Sequence, residues 1–118
     1  MKQLILNGAG NIAKAAAIRM AELGWKVSVL DEDIQKALDL LDALPESCRG
    51  VAAKVDWMDE AGIVAAVEKA GGGQALLNSA LHMERKLAKH IKAGELEGLF
   101  ARNVAPMFYC ARACAPYM

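Results

Sequence analysis

Apolar and polar positions fall into blocks along this chain, and the period changes from block to block. Gln3 to Leu6 is a short apolar run with strand character, broken by Asn7-Gly8-Ala9-Gly10. Asn11 to Leu23 then reads as a helix closed by Gly24. Lys26-Val27-Ser28-Val29-Leu30 is rich in strand formers. Asp31-Glu32-Asp33 ends it and supplies carboxylates to the start of a second helix, Ile34 to Leu44, before Pro45. Gly50 to Val55 reads as a third strand. Asp56-Trp57-Met58-Asp59 caps the next helix, on which Ile63, Val64 and Val67 share a face and which Gly71-Gly72-Gly73 stops. Gln74 to Leu77 is a fourth strand. Strands alternating with helices imply a parallel sheet covered on both sides, and right-handed crossovers give the strand order 3-2-1-4. The expected fold class is α/β, three layers, half of a doubly wound arrangement.

Beyond the fourth strand the pattern changes. Glu84 to Lys92 is charged and helix-favouring, most simply a solvated face. Glu95 to Met118 reads as a longer helix with Pro106 inside it. Leu96, Leu99, Phe100, Val104, Met107 and Phe108 run with Cys110, Ala111 and Cys114 around well over half of its circumference. The polar edge is Glu95, Arg102, Tyr109 and Arg112. One sheet face does not absorb that much apolar surface, and no fifth strand follows the fourth. The expectation is a homodimer through residues 95–118 or through the open fourth-strand edge. A helix folded back over that edge, giving a monomer, is the alternative.

Composition narrows the function classes. The chain has 118 residues, read as one domain over 1–118, with 14 basic and 14 acidic residues and a formal net charge of zero. That balance gives no field for nucleic acid or an anionic membrane. Hydrophobic residues make up 55 %, and 23 residues are Ala, which suits close helix packing. No apolar run has the length to span a bilayer, and the first six residues are too short for a secretory signal. Cys48, Cys110 and Cys114 are odd in number without framework spacing, so reduced thiols and a cytoplasmic location are expected. Cys110 and Cys114 share a helix face as small core thiols. His82 and His90 have no metal-site spacing.

The candidate chemistry lies at the first turn. Gly8-Ala9-Gly10-Asn11-Ile12-Ala13 is a G-x-G-x-x-A pattern between a strand and a helix. Gly8 and Gly10 let the turn bend, the backbone N–H groups at Asn11 and Ile12 approach a pyrophosphate, and Ala13 permits close helix–strand packing. Asp31, 23 residues after Gly8 at the end of the second strand, has the position of a carboxylate that meets ribose hydroxyls. Its charge favours NAD over NADP. The competing reading is a tight turn with Asp31 as a helix cap.

These residues resemble the short-chain dehydrogenases/reductases, a family with a Rossmann-like fold, and the resemblance spans nearly the whole chain. Asn7-Gly8-Ala9-Gly10-Asn11-Ile12-Ala13-Lys14 resembles its Thr-Gly-x-x-x-Gly-x-Gly turn with one residue lost and Asn11 and Ala13 in place of glycines. Asp56-Trp57-Met58-Asp59 resembles Asp-Val-Thr-Asp, which implies an adenine contact for Asp56. Trp57 either flanks the adenine or covers the sheet rim, and Asp56 and Asp59 read equally well as helix caps. Leu77-Asn78-Ser79-Ala80-Leu81 resembles Val-Asn-Asn-Ala-Gly, which brings Asn78 to the cofactor and sets Leu81 where the family keeps glycine. Arg102-Asn103-Val104-Ala105-Pro106-Met107-Phe108 resembles Val-Asn-Leu-x-Gly-x-Phe, the most specific of these matches. The resemblance makes Asn103 the first of an Asn, Ser, Tyr, Lys set. Neither Tyr109 nor Tyr117 has a Lys four residues on, and Arg112 is no proton-exchanging substitute. The expectation is an NAD-binding domain without dehydrogenase activity of its own. The alternatives are an interaction scaffold and an oxidoreductase completed by another chain.

Overall fold

The computed structural model describes residues 1–81 and 87–118. Strand β1 (Gln3–Asn7) leads through the glycine turn into α1 (Asn11–Glu22), and β2 (Lys26–Asp31) into α2 (Ile34–Asp42). Then come β3 (Arg49–Lys54), α3 (Glu60–Ala70), β4 (Ala75–Asn78), α4 (Ala93–Asn103) and α5 (Ala105–Cys114). The four strands form one parallel sheet in the order β3-β2-β1-β4. The expected α/β Rossmann-like topology is therefore present, with strand ends moved by one residue: β3 and β4 begin at Arg49 and Ala75.

Every residue of β1 is buried, as a central strand covered on both faces must be. Leu4 and Leu6 pack with Val27 and Val29 against α1 and α2, while Ile5 and Leu30 face α3 and α5. Ala13, Ala17 and Ala21 recur every four residues and are the buried stripe of α1. Their methyls let the helix axis lie close to β1 and β2, which brings the amino end of α1 over the sheet's carboxyl edge. At the opposite edge Gln3 is buried and satisfied: its amide donates to the Ala70 and Gly72 carbonyls and its oxygen accepts from Ser28 Oγ at 2.8 Å. The same hydroxyl accepts the Val51 N–H at 2.9 Å, where the β2–β3 register shifts.

The chain after β4 departs from a single long helix. Proline at 106 removes an N–H and crowds the preceding turn, and Val104 (φ −100°, ψ −49°) separates α4 from α5. Asn103 Nδ2 donates to the Leu99 carbonyl at 2.9 Å just before that break. Helix α5 buries Pro106, Cys110, Ala113 and Cys114 against α3 and the sheet, whereas α4 buries nothing and packs on α5. The molecule is accordingly elongated, 49 × 27 × 20 Å. Of the expected helix over 84–92, residues 84–86 lie outside the described residues, and 88–90 form one 3-10 turn. His82 also lies outside them.

Among the described residues no helix is long and apolar enough to cross a membrane. No group of three or more metal-binding side chains occurs among them either.

Candidate functional site

A cleft of about 880 Å³ opens where the carboxyl ends of β1, β2 and β4 meet the amino end of α1. This is the topological switch point of the sheet, where β2 and β3 lie to one side of β1 and the chain crosses to place β4 on the other. Its floor is the glycine turn. Gly8 has φ +100°, and a Cβ there would lie 2.7 Å from the Ala80 amide nitrogen, so only glycine allows β1 to turn this close to the segment after β4. A Cβ at Gly10 would meet nothing within 4 Å, which is the open space an incoming group requires. The Gly8 N–H donates to the Leu30 carbonyl and the Ser79 N–H to the Asn7 carbonyl, both at 2.8 Å, tying the turn to its neighbours.

Capping separates α1 from its neighbours. Asp33 caps α2 by accepting the Gln35 N–H, and Asp59 caps α3 by accepting the Gly62 N–H. At α1 the N-cap is Gly10, no side chain caps it, and the first turn carries no acid. The amino end of α1 therefore offers unsatisfied N–H groups and its partial positive charge to the cleft at Gly10, Asn11 and Ile12.

Asp31 does more than either sequence reading assigned it. Its Oδ2 accepts the Ala9 N–H at 2.8 Å and its Oδ1 the Asp33 N–H at 2.9 Å, so it braces the glycine turn and shapes the entry to α2. The helix cap itself is Asp33. Each carboxylate oxygen keeps lone-pair capacity toward the cleft, which Asp31 lines with Glu32, Asp33 and Lys36.

The remaining candidates divide. Trp57 lines the cleft while its indole is buried with Ile63 and Val67, so it covers the sheet rim and faces the cleft as well. Asp56 is exposed beside it, outside the cleft lining, and accepts the Met58 N–H at 2.9 Å. Asn78 also sits outside the lining, at the end of β4, accepting from Asn7 Nδ2 at 2.7 Å. Asn7 is buried and its own amide oxygen has no partner among the described residues. Past Asn78 the wall is Ser79, Ala80 and an exposed Leu81. Arg102, from the last turn of α4, closes that side.

Sequence reasoning passed over Ser79 and Arg102. Ser79 stood inside a quoted motif, and Arg102 was visible as a cation beside the apolar stripe of its helix. Cys110 and Cys114 lie away from the cleft, fully buried under α3. Burial pushes the Cys110 thiol up to about 12, with Cys114 adding to the rise, and the Cys114 thiol up to about 11. They are core groups rather than nucleophiles.

Residues 2–118 match the family model described as short chain dehydrogenase. The chain belongs to this family. Solved structures agree in fold. The 3-ketoacyl-(acyl-carrier-protein) reductase of Brucella melitensis, complexed with NADH, superposes with a TM-score of 0.82 at 22 % identity over 98 % of this chain and 49 % of its own. A short chain dehydrogenase of Bacillus anthracis gives 0.84 at 20 % identity over 98 % and 49 %. A Serratia marcescens short-chain dehydrogenase/reductase variant gives 0.82 at 23 % over 99 % and 51 %. The chain thus spans about half the length of the solved structures it matches. A comparison with curated proteins gives no match.

Within this short-chain dehydrogenase chain the glycine turn departs from the family pattern without closing the cleft. The shortened turn still delivers Gly8 at positive φ and an uncapped α1. Leu81, where the family pattern has glycine, stands at the wall with its side chain in solvent.

Proposed function

We propose that this chain binds an adenine dinucleotide, NAD in preference to NADP, in the cleft at the carboxyl edge of its sheet. The observation that carries the reading is the uncapped amino end of α1 behind a turn held open at Gly8 and Gly10 and braced by Asp31. The parts fit the group. Backbone N–H groups at Gly10, Asn11 and Ile12 suit a diphosphate, Asp31 suits ribose hydroxyls, and Trp57 offers an apolar wall for adenine. Asp56 precedes Trp57 and Asn78 precedes Ser79, so each adjoins a lining residue in sequence while lying outside the lining itself. The NADH bound to the Brucella reductase is in keeping with this reading.

The preference for NAD follows from charge. Asp31, Glu32 and Asp33 outnumber Lys36 at the ribose end, and a 2′-phosphate brought there meets net repulsion. When bound, the nicotinamide ring would supply hydride chemistry. The proton that such chemistry needs is not supplied through Tyr109, which has Ala113 rather than a lysine four residues on. The reading is therefore nucleotide binding without turnover by this chain alone.

Titration with NADH and NADPH, followed by tryptophan fluorescence and thermal shift, tests it. NADH is expected to saturate and stabilise, with NADPH at least about tenfold weaker. Asp31→Asn narrows that gap. No response to NADH up to millimolar concentration overturns the reading.

A second reading, self-association, has separate support. Phe100, Met107 and Phe108 are about half or more exposed on α4 and α5, and β4 pairs only with β1 among the described strands. A homodimer through this surface accounts for both.

A further inference from the structure

Charge is segregated along the cleft. At the β2 end stand Asp31, Glu32 and Asp33 with Lys36, and at the β4 end Arg102 lines the wall with Ser79. Building on the nucleotide reading, we propose that Arg102 is a diphosphate-binding residue of this site.

The glycine turn needs such help. It has Asn11 and Ala13 where the family pattern has glycines, and the α1 terminus contributes about half an elementary charge against the full ionic charge of a diphosphate. The acidic end repels an anion and directs it toward β1 and β4. Of the cations that line the cleft among the described residues, Lys36 belongs to the β2 end with Asp31, Glu32 and Asp33, and Arg102 to the β4 end with Ser79, Ala80 and Leu81. A guanidinium keeps its charge at every accessible pH and matches phosphate oxygens with a planar fork of donors. Arg102 already has a partner within the chain, and a guanidinium carries five N–H donors, more than one acceptor occupies. It is also exposed on a helix that buries nothing, so no core packing dictates an arginine there. Its place in the last turn of α4 favours a cation through the helix dipole, and that local role is the competing explanation.

Calorimetric titration of the 118-residue chain with ADP, NADH and adenosine separates the two. Arg102→Gln is expected to weaken ADP and NADH by about tenfold or more, to leave adenosine unchanged and to flatten the salt dependence of ADP binding. Arg19→Gln removes the same charge from an exposed α1 pair with Glu22 and is expected to leave ADP affinity within about twofold. Equal ADP affinities for the Arg102→Gln and Arg19→Gln variants overturn the proposal. So does a loss confined to NADH, which would assign Arg102 to the nicotinamide half. Wild-type protein that ignores ADP and NADH alike removes the nucleotide reading itself, an outcome distinct from wild-type binding that survives Arg102→Gln.

Discussion

At Gly8 and Gly10 the same residue type serves two different physical ends. Gly8 combines φ +100° with a neighbouring backbone 2.7 Å from any added Cβ, whereas Gly10 has φ −77° and free space. Gly8→Ala is expected to cost about 1–3 kcal/mol in urea denaturation, because left-handed strain and displacement of Ala80 act together. Gly10→Ala is expected to stay within about 0.5 kcal/mol of wild type while weakening NADH binding, its methyl occupying the space beside the turn. Equal stability losses at both positions would show that the turn is strained for reasons other than the approach of Ala80. The turn and its carboxylate were legible in the sequence because spacing and residue type carry them. Asp31's bond to the Ala9 N–H was not, since which donor a carboxylate takes depends on the register between β1 and β2. Arg102 was equally hidden, because its arrival at the cleft depends on where α4 lies after the break at Val104.

Helix by helix, the stripe pattern was readable wherever one face meets the sheet. The alanines of α1 and the Ile63, Val67 face of α3 behave in this way. The carboxyl-terminal helix was legible as apolar but not as two pieces, since a proline inside a helical pattern either kinks or ends it and tertiary packing selects which. Here α5 is drawn onto α3 by Cys110 and Cys114, reinforced by the Arg112–Glu60 ion pair, while Arg112 also stacks 4.9 Å over the Phe108 ring of its own helix. The buried thiols give this contact a pH signature. Their folded pKa values of about 12 and 11 lie above the ordinary 9.0, so the fold binds protons that the unfolded chain releases. Their contribution is complete below pH 9 and is lost as pH rises toward 11 and 12, at up to about 1.4 kcal/mol per pH unit for each thiol. Denaturation midpoints should therefore fall more steeply above pH 9 in wild type than in a Cys110→Ala, Cys114→Ala double variant. Parallel curves would show that the thiols are not protonated core groups.

Taken whole, the molecule has a well-sealed half and an open one. Both faces of β1 and β2 are covered, while β4 is an edge strand and α4 stands out from the body with Phe100 62 % exposed and no residue buried. Apolar surface of this kind is worth about 25 cal/mol per Å² when removed from water, and a parallel edge strand leaves unpaired backbone groups beside it. The proposed homodimer answers both demands through one contiguous region, since α5 packs against β4 and α4 against α5. Sedimentation velocity at tens of micromolar is expected to give a dimer. Phe100→Glu, on a helix that contributes nothing to the core, is expected to give a monomer with unchanged thermal stability per chain at low concentration. A wild-type monomer at those concentrations refutes the dimer. A dimer that survives Phe100→Glu moves the interface to the β4 edge. A charged residue in the middle of that strand, Leu76→Lys, would break such a dimer, but Leu76 also packs beside Ile5 in the core, so unfolding must be ruled out by circular dichroism first.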